Sequence, residues 1–324
     1  MVPHANEHDL PLVLVLMGGP DAEREVSLNS GTRVADGLRR SGRYRVNPQV
    51  IDRLDADGLA RLAGDLVAPI VHGPWGEGGE LQALLERDGR PYLGSGPEAS
   101  RLAMNKVATK EMARRIGVPT PDWQLVTPGA KVTLPPPAVV KPVDDGSSVD
   151  LYLCDTIEAV ETAAQGVASR RGAALVERLV KGREVTVGIV GGVTLPIIEI
   201  IPHPGTYDYE AKYIRSDTTY RVDPADMPAP VKLQASRDAL AIAEALGCRD
   251  VSRVDFLVAD GKAWLLEVNT MPGMTDHSLV PKAAAATGLD FPGLCCRLMG
   301  LAADRASASA VDGRNLRASR AGIR

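Results

Sequence analysis

Apolar positions fall into two rhythms along the chain. Leu12–Met17 (LVLVLM) is an unbroken apolar run of strand length, the pattern of a strand buried on both faces. It ends at Gly18-Gly19-Pro20, and the spacing that follows predicts a helix from about Glu25 to Leu38. Next come an extended stretch near Tyr44–Asp52, a helix around Leu54–Ala63 and a second buried run, Leu66–His72. Strands alternating with helices predict a parallel α/β sheet with helices on its faces. Both apolar runs end in glycine-containing loops, and ligands of open α/β sheets gather at the carboxyl ends of strands.

Glu98–Gly117 reads as one helix, stopped by Gly117-Val118-Pro119. A proline-rich stretch, Leu134–Pro137, leads into a short strand, Ala138–Lys141. One domain boundary is expected near residue 100, giving an N-terminal α/β unit over 1–100. A second near residue 190 would separate a central unit, 101–190, from a C-terminal one, 191–305, although Gly191-Gly192 reads equally as a hairpin turn. Residues 1–10 read as a loose leader. From about Ala306 the chain is rich in Ala, Ser and Arg without apolar periodicity, and 306–324 is expected to be a flexible tail.

The rhythm changes to strict alternation at Val251–Ala259 and Ala263–Asn269. Arg253, Asp255 and Leu257 share one face of the first strand. Leu265, Glu267 and Asn269 share one face of the second. A two-residue Asp260-Gly261 turn would pair Val258 with Ala263 and set Val254 beside Glu267, mixing polar and apolar faces. A three-residue loop of Ala259, Asp260 and Gly261 pairs Val258 with Lys262, puts Arg253 opposite Glu267, and is therefore expected. The outcome is a patch of two carboxylates, an amide and a guanidinium. Hard oxygen ligands of this kind suit Mg2+, yet by itself the pattern favours the wet face of a two-stranded ribbon.

Other candidate positions carry less by themselves. Lys141 closes a strand before Pro142, where it can reach a phosphate. The loop Asp144–Val149 offers backbone N–H groups and two serines to an anion, or is a plain surface turn. Glu177 ends the apolar segment Ala173–Val176 and, with Glu184, suits the edges of adenine and ribose hydroxyls, or a solvent-facing strand end.

Composition narrows the field. The chain has 324 residues, enough for two or three compact units. With aromatics at 4%, its cores must rest on aliphatic side chains. A net charge of -4 and no basic stripe exclude nucleic acid as a first choice. No apolar run is long enough to span a membrane, and the polar N-terminus lacks the features of a signal peptide. The four cysteines, without a C-x-x-C, read as reduced thiols of a cytoplasmic protein.

Together these residues resemble a known family, the D-alanine–D-alanine ligases of the ATP-grasp superfamily. The resemblance runs over roughly residues 12 to 294. It is carried by Gly18–Ser27 (GGPDAEREVS), His72-Gly73 with Gly76-Glu77, Gly94-Ser95-Gly96, Met104-Asn105-Lys106, Val140-Lys141-Pro142 and Gly146–Val149 (GSSV). It continues in Tyr207–Tyr213 (YDYEAKY), Arg253-Val254-Asp255, Leu266–Asn269 (LEVN) and Pro272–Leu279 (PGMTDHSL).

The resemblance implies a three-domain ATP-grasp fold, α/β and α+β, and a homodimer. It implies that ATP phosphorylates one D-alanine and that a second attacks the acyl phosphate, for peptidoglycan precursor synthesis. By the same resemblance Asp255, Glu267 and Asn269 hold two Mg2+ ions, replaceable by Mn2+, and Arg253 stabilises the oxyanion. Lys106, Lys141, Ser148 and Lys212 serve the ATP phosphates. Glu177, Leu179 or Val180, and Glu184 contact adenine and ribose. Glu23 binds the first substrate's ammonium within a set that includes Ser147 and Tyr213, and His72 lies nearby. Gly273, Ser278 and Leu279 hold the second substrate. Residues 207–222 are expected to form a mobile loop over the phosphates.

Several positions depart from the family's pattern. Asp150 stands where glycine is usual and is expected to crowd the site or alter the loop. Gly78-Gly79-Glu80 replaces a common Glu-Asp-Gly-Thr continuation, and Asp21 replaces a small polar residue.

Overall fold

A computed structural model of the chain describes residues 9–144, 150–201 and 218–321, with side chains as far as Ser307. The first sheet is parallel, in the order β2-β1-β3, with β1 at Leu12–Gly18, β2 at Arg45–Ile51 and β3 at Leu66–Pro69. β1 is buried on both faces, as its unbroken apolar run predicts. Val13, Val15 and Met17 pack with Val34 and Leu38 of helix α1 (Arg24–Ser41). Leu14 and Leu16 pack on the other side with Leu59 of α2 (Ala56–Ala60) and Leu81 and Leu85 of a following helix. The helix expected over Leu54–Ala63 is thus shorter, starting after Asp55, whose carboxylate accepts the Gly58 N–H.

The helix expected over Glu98–Gly117 is two helices, separate in sequence by a single residue. α3 at Pro97–Met104 stops at Asn105, which is extended, and α4 at Lys106–Ile116 begins after it. Asn105 caps the second helix by accepting the Ala108 N–H, and the Lys106 N–H leaves the ladder to bond Val143 O. The break places Lys106 in the first turn of α4.

A second sheet, antiparallel, has the order β4-β7-β5-β6, with β4 at Trp123–Val126, β5 at Ala138–Pro142, β6 at Tyr152–Cys154 and β7 at Ala174–Arg178. Val160, Ala164 and Val167 of helix α5 (Ile157–Arg171) cover it.

The third sheet runs β11-β10-β8-β12-β13, with β9 paired to β8. Its strands are β8 (Arg183–Val190), β9 (Val193–Thr194), β10 (Ile198–Ile201), β11 (Thr219–Val222), β12 (Val251–Ala259) and β13 (Lys262–Asn269). Gly191-Gly192 is the hairpin turn between β8 and β9. A boundary near 190 therefore falls inside hydrogen-bonded strands, and the passage between sheets lies instead ahead of Arg183. Helix α6 (Ala229–Leu246) covers the apolar face, setting Ala239 and Ile242 against Val187, Val254 and Phe256. Thr219–Val222, expected within a mobile loop, is strand β11 paired to β10.

The chain returns through α7 (Leu279–Ala285) and α8 (Phe291–Ala321). Leu294 and Leu298 of α8 join the core around Val13 and Leu38, together with Val190, Val251 and Val280. The segment expected to be a loose tail continues α8 to Ala321. It lacks an apolar stripe, but Ala and Arg are strong helix formers. Among the described residues no helix is long and apolar enough to cross a membrane. All four cysteines are free. Burial pushes the Cys248 thiol up to about 11 and the Cys295 thiol up to about 12, so neither is a ready nucleophile.

Candidate active site

The hairpin β12–β13 turns on two residues. Asp260 and Gly261 both have positive φ, 52° and 72°, and the register is Ala259 with Lys262 and Val258 with Ala263. The expected three-residue loop is therefore replaced by the tighter turn. That turn does not mix the faces, because the register shifts once, between Phe256 and Asp255. Phe256 pairs with Leu265 and Asp255 pairs with Glu267, so Leu266 is an extra residue in β13. The bulge is anchored from outside. Leu265 donates its N–H to Pro119 O at 2.8 Å and accepts the Thr120 hydroxyl at 2.9 Å.

The bulge puts Asp255 directly opposite Glu267 and Arg253 opposite Asn269, in place of the expected pairing of Arg253 with Glu267. Leu265 moves to the apolar face, where it and Phe256 are fully buried. Arg253 grips Asp255 bidentately, Nε to Oδ1 at 3.0 Å and Nη2 to Oδ2 at 2.8 Å. The Thr186 hydroxyl donates to Asp255 Oδ1 at 2.6 Å. Asn269 Oδ1 accepts the Met271 N–H at 3.0 Å, which fixes the amide. On β8, Thr186 faces Asp255 and Glu184 faces Leu257, so the buried Glu184 shares the face of this patch.

Lys106 reaches the patch from α4, with Nζ 3.6 Å from Glu267 Oε2. Lys141, at the end of β5, lies 2.7 Å from Glu177 Oε2. The other oxygen of Glu177 bonds Lys110, an unforeseen partner. Burial alone would raise the Glu177 carboxyl, but Lys141 and Lys110 outweigh it and hold it below the ordinary carboxylate range. Burial pulls the Lys110 ammonium down to about 8, with Glu177 acting the other way. Both oxygens of Glu177 are thus held by lysines, which gives the side chain an ion-pair role beside its expected contact with the nucleotide. Leu179 and Val180 follow β7 directly and are half-buried. Lys110 had a readable signal, since its i, i+4 spacing puts it on the same helix face as Lys106.

At the first sheet, the loops after β1, β2 and β3 are tied together. Gly18 has φ 102°, and a Cβ there would lie 2.6 Å from Ile51 O. Arg24 Nη1 donates to Gly19 O at 2.7 Å and Ile51 O at 2.8 Å. Ser27 Oγ accepts the Gly18 N–H at 2.8 Å and donates to Ile70 O at 2.5 Å. Glu23 sits in this frame, at the N-cap of α1. His72 is buried, with Nε2 3.3 Å from Ser30 Oγ and Nδ1 3.4 Å from Glu77 Oε1. Ser30 Oγ also accepts the Met274 N–H at 3.2 Å, joining α1 to the segment that carries Gly273, Ser278 and Leu279. Ser278 Oγ accepts the Thr275 N–H at 3.0 Å, and a Cβ on Gly273 would lie 3.2 Å from it. Ser30 and Glu77 were not expected as site neighbours; their side chains meet His72 only in the fold.

Asp21 also serves this frame, its carboxylate accepting the Trp75 N–H at 2.8 Å. Asp150, expected to crowd the site or alter the loop, is ion-paired. Its φ is 54°, which explains why glycine suits the position, and its carboxylate pairs with Arg170 at 3.0 Å and Arg171 at 3.7 Å at the end of α5. Ser147, Ser148, Lys212 and Tyr213 lie outside the described residues.

Residues 112–300 match the family model for the D-ala D-ala ligase C-terminus. The chain is 41% identical over 290 residues to the D-alanine–D-alanine ligase of Syntrophotalea carbinolica, covering 89% of this chain and 94% of that protein. It is 41% identical over 284 residues to that of Aquifex aeolicus, covering 86% and 96%. Among solved structures, the D-alanine–D-alanine ligase of Bacillus anthracis complexed with ATP superposes with a TM-score of 0.80 at 29% identity, over 92% of this chain and 99% of that one. The ligase from Coxiella burnetii gives 0.82 at 26% identity, over 96% and 99%.

Proposed function

The chain belongs to the D-alanine–D-alanine ligase family, and from that premise we propose a reading of its site. The protein has the ATP-grasp fold and is an ATP-dependent ligase that joins two D-alanine molecules. The first D-alanine carboxylate takes the γ-phosphoryl group of ATP, leaving ADP. The amine of the second attacks the acyl phosphate, loses a proton and expels phosphate. The observation that carries the reading is the hairpin patch: Asp255 directly opposite Glu267, with Asn269 on the same face and Lys106 3.6 Å from Glu267.

The donor set fits Mg2+, since carboxylate and amide oxygens are hard ligands and the bulge puts them on one face. Asp255, Glu267 and Asn269 would hold two such ions, or Mn2+ in their place. The ions supply charge neutralisation at the phosphates. Lys106 and Lys141 bind phosphate oxygens as point charges, joined by Ser148 and Lys212. Arg253 turns from Asp255 toward the oxyanion as charge develops there, a role its 17% exposed side chain permits. Glu184 takes the ribose hydroxyls, and the chain at Leu179 and Val180 lines the adenine edge.

Glu23 binds the ammonium of the first D-alanine, with Ser147 and Tyr213 completing the set. His72, held by Ser30 and Glu77, borders it. Gly273, Ser278 and Leu279 receive the carboxylate of the second D-alanine, Gly273 leaving the Ser278 hydroxyl uncovered. The product serves peptidoglycan precursor synthesis, in the cytoplasm, and the working unit is a homodimer. A phosphate-release assay across paired D-amino acids and D-lactate tests the reading. D-alanine with D-alanine is expected to be the best pair, and Glu267→Gln to be nearly inactive with it. Wild-type turnover by that variant would remove the metal site from the scheme.

A further inference from the structure

Lys110 stands one helical turn beyond Lys106 and is fully buried. Its ammonium donates to Thr120 Oγ1 at 2.7 Å and to Glu177 Oε1. The Thr120 hydroxyl in turn donates to Leu265 O at 2.9 Å, at the bulge that brings Asp255 opposite Glu267. Glu177 gives its remaining oxygen to Lys141 at 2.7 Å. A buried carboxylate facing one lysine would close on it as a neutral pair. Facing two, it leaves the cluster with one net positive charge, which a phosphate can answer.

We infer that Lys110 is a positioning residue for the nucleotide: it neutralises Glu177 so that Lys141 is available to the phosphates, and through Thr120 it fixes this cluster to the metal-bearing strand. The inference rests on the reading of Lys141 as a phosphate-binding lysine. The charged groups facing Lys110 are Glu177 from β7, Lys141 from β5 and Arg114 one turn further along its own helix. Thr120 and Leu265 present only neutral groups. Because burial brings the Lys110 ammonium down to about 8, its charge fades above that pH, and the hold of Glu177 on Lys141 tightens.

The test is the KM for ATP and kcat at saturating D-alanine, with ATP affinity by direct titration, from pH 7 to 9.5. Wild type, Lys110→Met, Lys110→Arg and Lys141→Met are compared. Lys110→Met is expected to raise the ATP KM about tenfold or more, the scale of one contact to a charged group, with little change in kcat. The wild-type ATP KM is expected to rise above about pH 8. That rise should be absent in Lys110→Met and displaced to higher pH in Lys110→Arg, which restores the low KM at pH 7. An unchanged ATP KM in Lys110→Met, or a loss confined to kcat, overturns the inference. If Lys110→Met does not fold, the wild-type series decides, and ATP affinity constant to pH 9.5 overturns it. Wild-type ATP affinity in Lys141→Met would sink the underlying reading of Lys141 itself. A loss there with none in Lys110→Met sinks only the role of Lys110.

Discussion

Two charged clusters flank the same site and are built on opposite terms. In the hairpin patch, Glu267 is 30% exposed and Arg253 17%. In the Lys110–Glu177–Lys141 cluster, exposure falls to 0% for Lys110 and 3% for Glu177. At Glu267, in the first, water and incoming ligands can replace one partner with another at little free-energy difference. In the second, the charges sit in a dry interior, and removing Lys110 leaves Glu177 to close on Lys141 alone. Similar residues thus give a patch open enough at Glu267 to exchange partners and a cluster that seals Lys110 onto Glu177.

The largest expected effect tests the exchanging patch. Glu267→Gln and Arg253→Met should each lower kcat about a hundred- to a thousandfold, while urea unfolding of Glu267→Gln, whose side chain is 30% exposed, moves by no more than about 1 kcal/mol. Lys110→Met should behave the other way round, lowering unfolding free energy by about 2 kcal/mol through its lost charged hydrogen bonds to Glu177 and Thr120, and affecting catalysis through the ATP KM. Equal losses of stability at the two clusters would erase the distinction.

pH separates them further. The folded Glu177 carboxyl titrates below its unfolded value. Its contribution is therefore full above the unfolded value of about 4.3 and is lost as pH falls through the folded one. Lys110 has its proton affinity lowered on folding, from 10.5 to about 8. Between those values the unfolded chain binds more protons, so this group's contribution to stability grows as pH rises. ATP affinity should fall over the same interval. Urea melts and ATP titrations at pH 7.5 and 9.5, in wild type and Lys110→Arg, check the opposite signs. Stability and ATP affinity moving together would mean that another group governs that window.

The exchanging patch was largely legible in the sequence, and the buried cluster was not. Alternation along Val251–Asn269 marks which residues face one way, because side chains in a strand have a period of two. It cannot show the bulge, which depends on Pro119 and Thr120 bonding Leu265 from some 145 residues away. Lys110 shares a helix face with Lys106, yet its partner Glu177 lies 67 residues on and meets it only when α4 packs beside β7. Glu177 looks like any strand-end carboxylate until its burial is known. The break at Asn105 also has a distant cause, since Val143 O takes the Lys106 N–H. Local patterns gave faces and loops; tertiary hydrogen bonds decided register and pairing.

The smallest expected effect addresses that division directly. Gly261 has φ 72°, and a Cβ there would meet nothing within 4 Å. Gly261→Ala therefore carries only the backbone penalty of a left-handed residue, about 1 kcal/mol. The patch lies beyond the bulge, at Asp255 and Glu267, where Pro119 and Thr120 hold Leu265 in place. If the bulge sets the register of the catalytic end, the strain at the turn stops at Phe256. Urea unfolding should then show the loss, with kcat and the Mg2+ requirement unchanged. A fall in kcat comparable to that of Arg253→Met would mean that the turn, and not the bulge, aligns the carboxylates, and the exchanging patch would depend on its distal loop.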